Sequence, residues 1–286
     1  MYPTDFDYTA PTTLQEALDL LANNPEAKVL AGGHSLLPIL KLRLDSPAML
    51  VDIGKIEELK GIRVNGNVAI GAYTTYREME DSAELAARMP GLVECASKVG
   101  DPQVRNRGTI GGSLAHADPA ADMTAAVLAF AAEMRVVGPN GERTIPADNF
   151  FVGMLQSALE PGEILAEIRF PQGEGRVGMA YEKFKHPASG YAIVGVAAMV
   201  RLNDQGTVTE CRIGVTGTGP QAQRATVAEN MLVGHQPSAD DLAAAADQAS
   251  TGLDLIGDIS ASEQYRAHLT RVLAKRALSK ALEQAR

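Results

Sequence analysis

Two glycine-pair motifs constrain this chain more than any other feature. Ala31-Gly32-Gly33-His34-Ser35-Leu36 and Ile110-Gly111-Gly112-Ser113-Leu114 each follow β-type residues and run toward a segment with helical potential. A glycine pair admits backbone conformations that other residues resist and lets main-chain N–H groups approach an anion closely. The exposed N–H groups and positive end of a following helix favour phosphate. Either motif alone reads first as an ordinary glycine turn. The near-duplication favours a shared site in which two loops enclose a pyrophosphate, with serine and threonine hydroxyls adding donors. Neither motif is G-x-G-x-x-G or G-x-x-x-x-G-K-[ST], so the pattern is dinucleotide-like without Rossmann or P-loop geometry.

The segments around the motifs alternate between helix and strand. Thr13 and Glu16 form a capping-box pattern ahead of Leu14, Ala17, Leu18 and Leu21 at helical spacing. Lys28–Ala31 and Met49–Ile53 read as strands flanking a short helix within Ser35–Leu44, a βαβ-like unit ending near residue 55. Ile62–Val64 and Val68–Ile70 flank the turn pair Asn65-Gly66. Helices are expected over Tyr76–Met89 and Gly91–Lys98, a loop over Gly100–Gly108, and a helix through Ala132 capped by Asp118-Pro119. Met134–Val137 and Ile164–Phe170 read as strands, and glycine-rich Pro171–Gly178 as a linker. Three strands follow (Ala180–Lys185, Tyr191–Leu202, Val208–Thr216), then helices over Ser238–Ala249 and Ser262–Arg286. The last helix is expected to set Tyr265, Leu269, Val272 and Leu273 on one face and its basic residues in solvent. The pattern is α+β in three pieces: 1–57, 58–174 and 175–286.

Composition narrows the function. The 286 residues carry a net charge of −9 with no basic cluster outside the C-terminal helix, which argues against nucleic-acid binding. Met1-Tyr2-Pro3-Thr4-Asp5 has neither a basic start nor an apolar core, so no signal peptide is expected. The apolar stretches Met123–Ala132 and Ala192–Val200 are too short to span a bilayer. Cytoplasmic residence is expected, with attachment to the inner face of the membrane an open alternative. Cys95 and Cys211 read as buried apolar residues, too few to hold an iron–sulfur cluster or structural zinc alone. The five histidines show no metal-ligand spacing, and no protein-bound metal is expected.

Other polar residues leave two readings open. Asp118 suits a helix cap. Asp122 suits either a first-turn acid favoured by the helix dipole or an acceptor for a ribose hydroxyl. Lys185 and Tyr191 are able to hydrogen-bond a ring or phosphate, although nothing local demands it. No Ser/His/Asp or Cys/His nucleophile arrangement stands out, and His34 and His116 read as loop-orienting residues.

At the two motifs the chain resembles the FAD-binding medium subunit of molybdenum hydroxylases, most closely the aerobic carbon monoxide dehydrogenase type. The matching stretches are Ala31–Pro38, Asp101–Arg105, Gly108–Ser113, Asp118–Met123, Glu160–Leu165, Ser189–Ala192 and Glu263–Arg266, in the family's order across essentially the whole chain. The resemblance implies the two-subdomain FAD-binding fold of the vanillyl-alcohol-oxidase type. A C-terminal domain with a three-stranded antiparallel sheet and helices would follow. It implies that Leu30, Ala31, Gly32, Gly33, His34, Ser35, Leu36 and Leu37, with Thr109, Ile110, Gly111, Gly112 and Ser113, bind the FAD pyrophosphate. Asp122, beside Asp118, would contact the ribityl or ribose region. Val99, Leu165 and Lys185 would line the flavin or adenine pocket, and Tyr191 would stand near the isoalloxazine ring. Ser113 stands where many relatives have asparagine, and Gly190 where an acid is frequent.

The implied activity is that of an oxidoreductase subunit that relays electrons and has no catalytic residue of its own. A large subunit with molybdenum cofactor would oxidise the substrate, and a small subunit with two [2Fe-2S] clusters would reduce this FAD, which then reduces an external acceptor. The complex would be a dimer of heterotrimers, a hexamer. The alternative is a self-contained FAD-dependent oxidoreductase of the same fold, for which the chain offers no acid or base better than the histidines.

Overall fold

The computed structural model describes residues 2–286. Met1, the first residue of the stretch read as lacking a signal peptide, lies outside the described residues.

Three sheets of three or more strands organise the described residues, beside a two-stranded ribbon of Phe151–Gly153 and Gln156–Ser157. The first is parallel, in the order Asp7–Thr9, Met49–Asp52, Ala27–Leu30. Its helix Leu14–Asn23 begins with the expected capping box between Thr13 and Glu16 and buries Leu14, Ala17, Leu18 and Leu21. The second sheet is antiparallel, with Ile164–Phe170 at its centre between Asn67–Gly71 and Glu133–Gly138. Ile62–Asn65 and Gly141–Pro146 form its edges. The Asn65-Gly66 turn forms as read, with Gly66 at φ +76°.

The third sheet differs from expectation. It has four strands rather than three: Arg176–Lys185, Ala192–Leu202, Val208–Thr216 and the two-residue Gln223–Arg224. A two-residue strand is too short for alternation to reveal it. The strand start at Arg176 also shortens the expected linker. Helix Glu263–Ala285 lies on the first two of these strands, with Leu269 and Leu273 buried as expected. Tyr265 is exposed instead, and Arg266 is buried in its place, donating to the Ile193 and Gly217 carbonyls and, at 2.6 Å, to Asp258.

Four local expectations around the glycine motifs are corrected. Tyr76–Met89 is two helices, Tyr76–Asp81 and Ala83–Arg88, because the Ser82 hydroxyl accepts from the Leu85 N–H and starts a new cap. The expected loop Gly100–Gly108 contains helix Pro102–Arg107, capped by the Asp101 carboxylate on the Val104 N–H with Pro102 at its first position. The second glycine motif is the first turn of helix Ile110–His116, with Thr109 as its cap. Asp118 caps no long helix. Its carboxylate accepts from the Ala120 N–H at 2.8 Å, and Pro119 accepts from the Gly217 N–H, which keeps the segment extended. The helix starts at Asp122 and runs to Ala129 with all eight residues buried, Asp122 and Thr124 being its two polar residues.

Among the described residues no helix is long and apolar enough to cross a membrane.

Candidate functional site

A cavity of about 540 Å³ opens where the first sheet meets helix Ile110–His116, strand Ile164–Phe170 and the hairpin between Lys185 and Ala192. Both glycine motifs line it. A β-carbon on Gly112 would lie 3.5 Å from that of Ala31, so the two motifs face each other across the floor.

The motifs play different parts. After strand Ala27–Leu30 the backbone reverses at Gly33, with φ +76°, and the Leu37 N–H returns to the Gly33 carbonyl at 2.9 Å. Among the described residues the N–H groups of Gly32, Gly33, His34, Ser35 and Leu36 find no protein acceptor. Five consecutive unpaired donors beside a cavity form a concavity suited to an anion. The second motif has spent its donors. Ile110 N–H bonds to the Thr74 carbonyl at 3.0 Å, Gly111 N–H to Ala72 at 2.8 Å, and Gly112 N–H to the Thr109 hydroxyl at 3.1 Å. What it offers the cavity is a surface without side chains at Gly111 and Gly112, together with the side chains of Thr109 and Ser113.

Most of the expected residues meet at this cavity: Ala31 to Leu36, Val99, Thr109, Gly111 to Ser113, Asp118, Asp122, Leu165 and Tyr191. Val99 and Leu165 provide apolar wall, and Tyr191 stands half-exposed at the mouth. Four expected residues lie elsewhere. Leu30 ends the strand leading to the cradle, Leu37 points partly into solvent, and Ile110 is buried in the core. Lys185 ends its strand exposed.

Asp122 is buried at the first position of its helix. Its Oδ1 accepts the Tyr181 hydroxyl at 2.5 Å, and its carboxylate pairs with the Lys183 ammonium at 2.8 Å to Oδ1 and 2.9 Å to Oδ2. Burial pushes the Asp122 carboxyl above its ordinary value, while Lys183 and the Tyr181 hydroxyl pull it back. Burial likewise raises the Tyr181 phenol well above its usual range. Tyr181 and Lys183 were absent from the sequence-based set. The available signal was alternation: Tyr181, Lys183 and Lys185 share one face of strand Arg176–Lys185, and a buried carboxylate needs a cation. Tyr76, buried under the cavity, was also missed.

Comparison with known proteins follows the same division. Residues 4–173 match the family model described as the FAD binding domain in molybdopterin dehydrogenase, and residues 179–281 that of the CO dehydrogenase flavoprotein C-terminal domain. The 6-hydroxypseudooxynicotine dehydrogenase complex subunit alpha of Paenarthrobacter nicotinovorans is 41% identical, the match covering 100% of this chain and 97% of that protein. The carbon monoxide dehydrogenase medium chain of Hydrogenophaga pseudoflava is also 41% identical, over 98% of each. A solved structure of carbon monoxide dehydrogenase from Hydrogenophaga pseudoflava, lacking the Mo-pyranopterin moiety of its molybdenum cofactor, superposes with a TM-score of 0.95 at 42% identity over 100% of both chains.

Proposed function

This chain belongs to the family of FAD-binding medium subunits of the molybdenum hydroxylases, and on that premise we propose that it is the electron-transfer subunit of a molybdenum-dependent dehydrogenase of the carbon monoxide dehydrogenase type. The observation that carries the reading is the row of unpaired N–H groups from Gly32 to Leu36 facing the bare backbone of Gly111 and Gly112 across one cavity. That arrangement fits FAD: donors for phosphate oxygens, room for close backbone approach, and apolar walls for a ring system.

The proposed roles follow from the chemistry of each group. The N–H groups of Gly32 to Leu36 bind pyrophosphate oxygens, with the Ser35 and Ser113 hydroxyls beside them. Asp122 accepts a ribityl or ribose hydroxyl. Val99 and Leu165 keep water from the ring, and Tyr191 covers its exposed side. Lys185 stays in the proposed set as an exposed ammonium at the end of the strand that carries Lys183. The flavin ring, when bound, accepts electrons singly and releases one or two. The protein contributes binding, orientation and electrostatics.

We further propose that the chain works with a large molybdenum-cofactor subunit and a small [2Fe-2S] subunit in a dimer of heterotrimers. In support, its two cysteines are both buried and too few for a cluster. Unpaired thiols also suit a reducing cytoplasm. A division at 1–57, 58–174 and 175–286 is supported by one sheet of three or more strands in each segment.

The test is to purify the chain alone and with its natural neighbours and record visible spectra and subunit masses. Flavin bands in the isolated chain, iron–sulfur absorbance in the complex, and no substrate oxidation by the isolated chain are expected. A chain that oxidises carbon monoxide or an N-heterocycle alone would overturn the relay reading.

A further inference from the structure

We infer that Lys183 and Tyr181, from the third sheet, are positioning residues for the cofactor, acting through Asp122. This rests on the proposed contact between Asp122 and an FAD hydroxyl, and extends it to a part of the chain remote from both glycine motifs.

The geometry is specific. Strand Arg176–Lys185 runs over the end of helix Pro90–Ser97 and is clasped to it: the Lys98 ammonium donates to the Tyr181 carbonyl at 2.6 Å, and the Lys183 ammonium donates to the Lys98 carbonyl at 3.0 Å. The same ammonium donates to Oδ2 of Asp122 at 2.9 Å and lies 2.8 Å from Oδ1 as an ion pair. Both side chains of this ion pair are nearly excluded from solvent, 3% and 5% exposed. An ionised carboxylate offers about four acceptor positions. The Tyr181 hydroxyl fills one on Oδ1 and the Lys183 ammonium one on Oδ2, the N–H of Asp122 itself also faces the carboxylate, and Asp122 borders the cavity. Acceptor capacity is left for a hydroxyl arriving from the cavity side. The pair therefore does two things: it favours the ionised carboxylate against the cost of its burial, and it fixes the orientation of the carboxylate beside the cavity.

Without Lys183 the buried carboxylate loses its counter-ion and takes up a proton more readily. A protonated carboxyl with a turned oxygen is a poorer acceptor, so FAD affinity falls and becomes dependent on pH, recovering as pH rises. The other titratable groups around Asp122 are Tyr181 and Cys95, with Tyr76, Tyr191, Asp118, His34 and His116 further around the cavity, and the D122N background separates any effect of those histidines from that of the carboxylate. Burial raises the Cys95 thiol and all three phenols, so these change no charge across the neutral range.

The experiment is FAD titration of the full chain, followed by flavin fluorescence from mildly acid to mildly alkaline pH, for wild type, K183M, K183R, Y181F, D122N and D122N/K183M. K183M should weaken FAD binding by about tenfold or more at neutral pH, with affinity rising toward alkaline pH while wild type stays flat. K183R should restore a flat profile, Y181F should lose less than K183M, and K183M should weaken binding no further in the D122N background. Additive losses in the double variant, or K183M binding with the wild-type affinity and profile, would overturn the inference. If K183M fails to fold, Y181F against D122N/Y181F makes the same test. Failure of wild type itself to bind FAD would instead refute the underlying site, which separates the two claims.

Discussion

The α-carbon of Gly32 stands directly against the Arg107 carbonyl, so that a β-carbon on Gly32 would collide with that oxygen and lie 3.0 Å from the α-carbon of Gly108. The first glycine motif is thus seated on the chain that leads into the second. One missing side chain joins the two halves of the cradle, and substitution there should injure the site and the fold together.

Gly32→Ala should therefore displace the Gly32–Leu36 loop, weaken FAD binding by about tenfold or more and lower the melting temperature, through overpacking of about 1–3 kcal/mol. Gly66→Ala is the control: φ is +76° there, yet a β-carbon meets nothing within 4 Å. It should destabilise by about 1 kcal/mol and leave FAD affinity alone. Flavin fluorescence titration beside thermal melts distinguishes them. Equal FAD affinity in Gly32→Ala and wild type would mean that the loop does not bind the cofactor.

Neither thiol should react in the native protein. Burial pushes Cys95 well above its ordinary value and Cys211 up to about 12, with Glu229 adding to the effect on Cys211. Because the thiolate is the nucleophile, a disulfide reagent at mildly alkaline pH should label neither cysteine until denaturant is added, and then both. Rapid labelling of either thiol in the folded chain would contradict the burial described.

Arg143 should stabilise the fold at neutral pH and lose that effect in acid. Its guanidinium holds Glu163 in a two-point pair at 2.7 and 2.8 Å and keeps that carboxyl below its ordinary value of 4.5. A carboxyl lowered on folding contributes stability that is fully present above the unfolded value and is lost as pH falls through the native one. Arg143→Met should thus destabilise by about 1–2 kcal/mol at neutral pH, with the difference shrinking below about pH 4. Urea unfolding at neutral and acid pH measures both. A difference that grows in acid would reverse the assignment.

Gly178 lets the C-terminal helix rest on the third sheet. A β-carbon there would strike the Ala281 carbonyl, whose carbon lies 2.8 Å away. Gly178→Ala should destabilise by about 1–3 kcal/mol and lower the melting temperature by several degrees, with FAD affinity of the folded protein unchanged because the cavity lies elsewhere. A melting temperature equal to that of wild type would show that the helix moves aside freely.

Local chemistry was legible wherever a short stretch of chain decides its own conformation. The Thr13–Glu16 capping box, the Asn65-Gly66 hairpin and the long strands of the third sheet form where side-chain pattern and turn residues place them. The same local signal was present at Asp101-Pro102, where it starts a helix, and at Asp118-Pro119, where it does not. At the second position, bonds from Gly217 and Thr216 to the Pro119 carbonyl outweigh helix initiation, and those partners lie far along the chain.

By itself the sequence determined the backbone character of this protein: two glycine pairs, an apolar helix leading to Ala132, and strands of period two. Those are properties of neighbouring residues, set by sterics, capping and alternation. Only the tertiary structure decided that the first glycine pair keeps its donors free while Thr74, Ala72 and Thr109 occupy those of the second. Only it decided that Lys183, rather than Lys185, meets Asp122. The reason is physical: a hydrogen-bond donor or an ammonium has no fixed partner until packing chooses one, and here burial chose partners from distant segments.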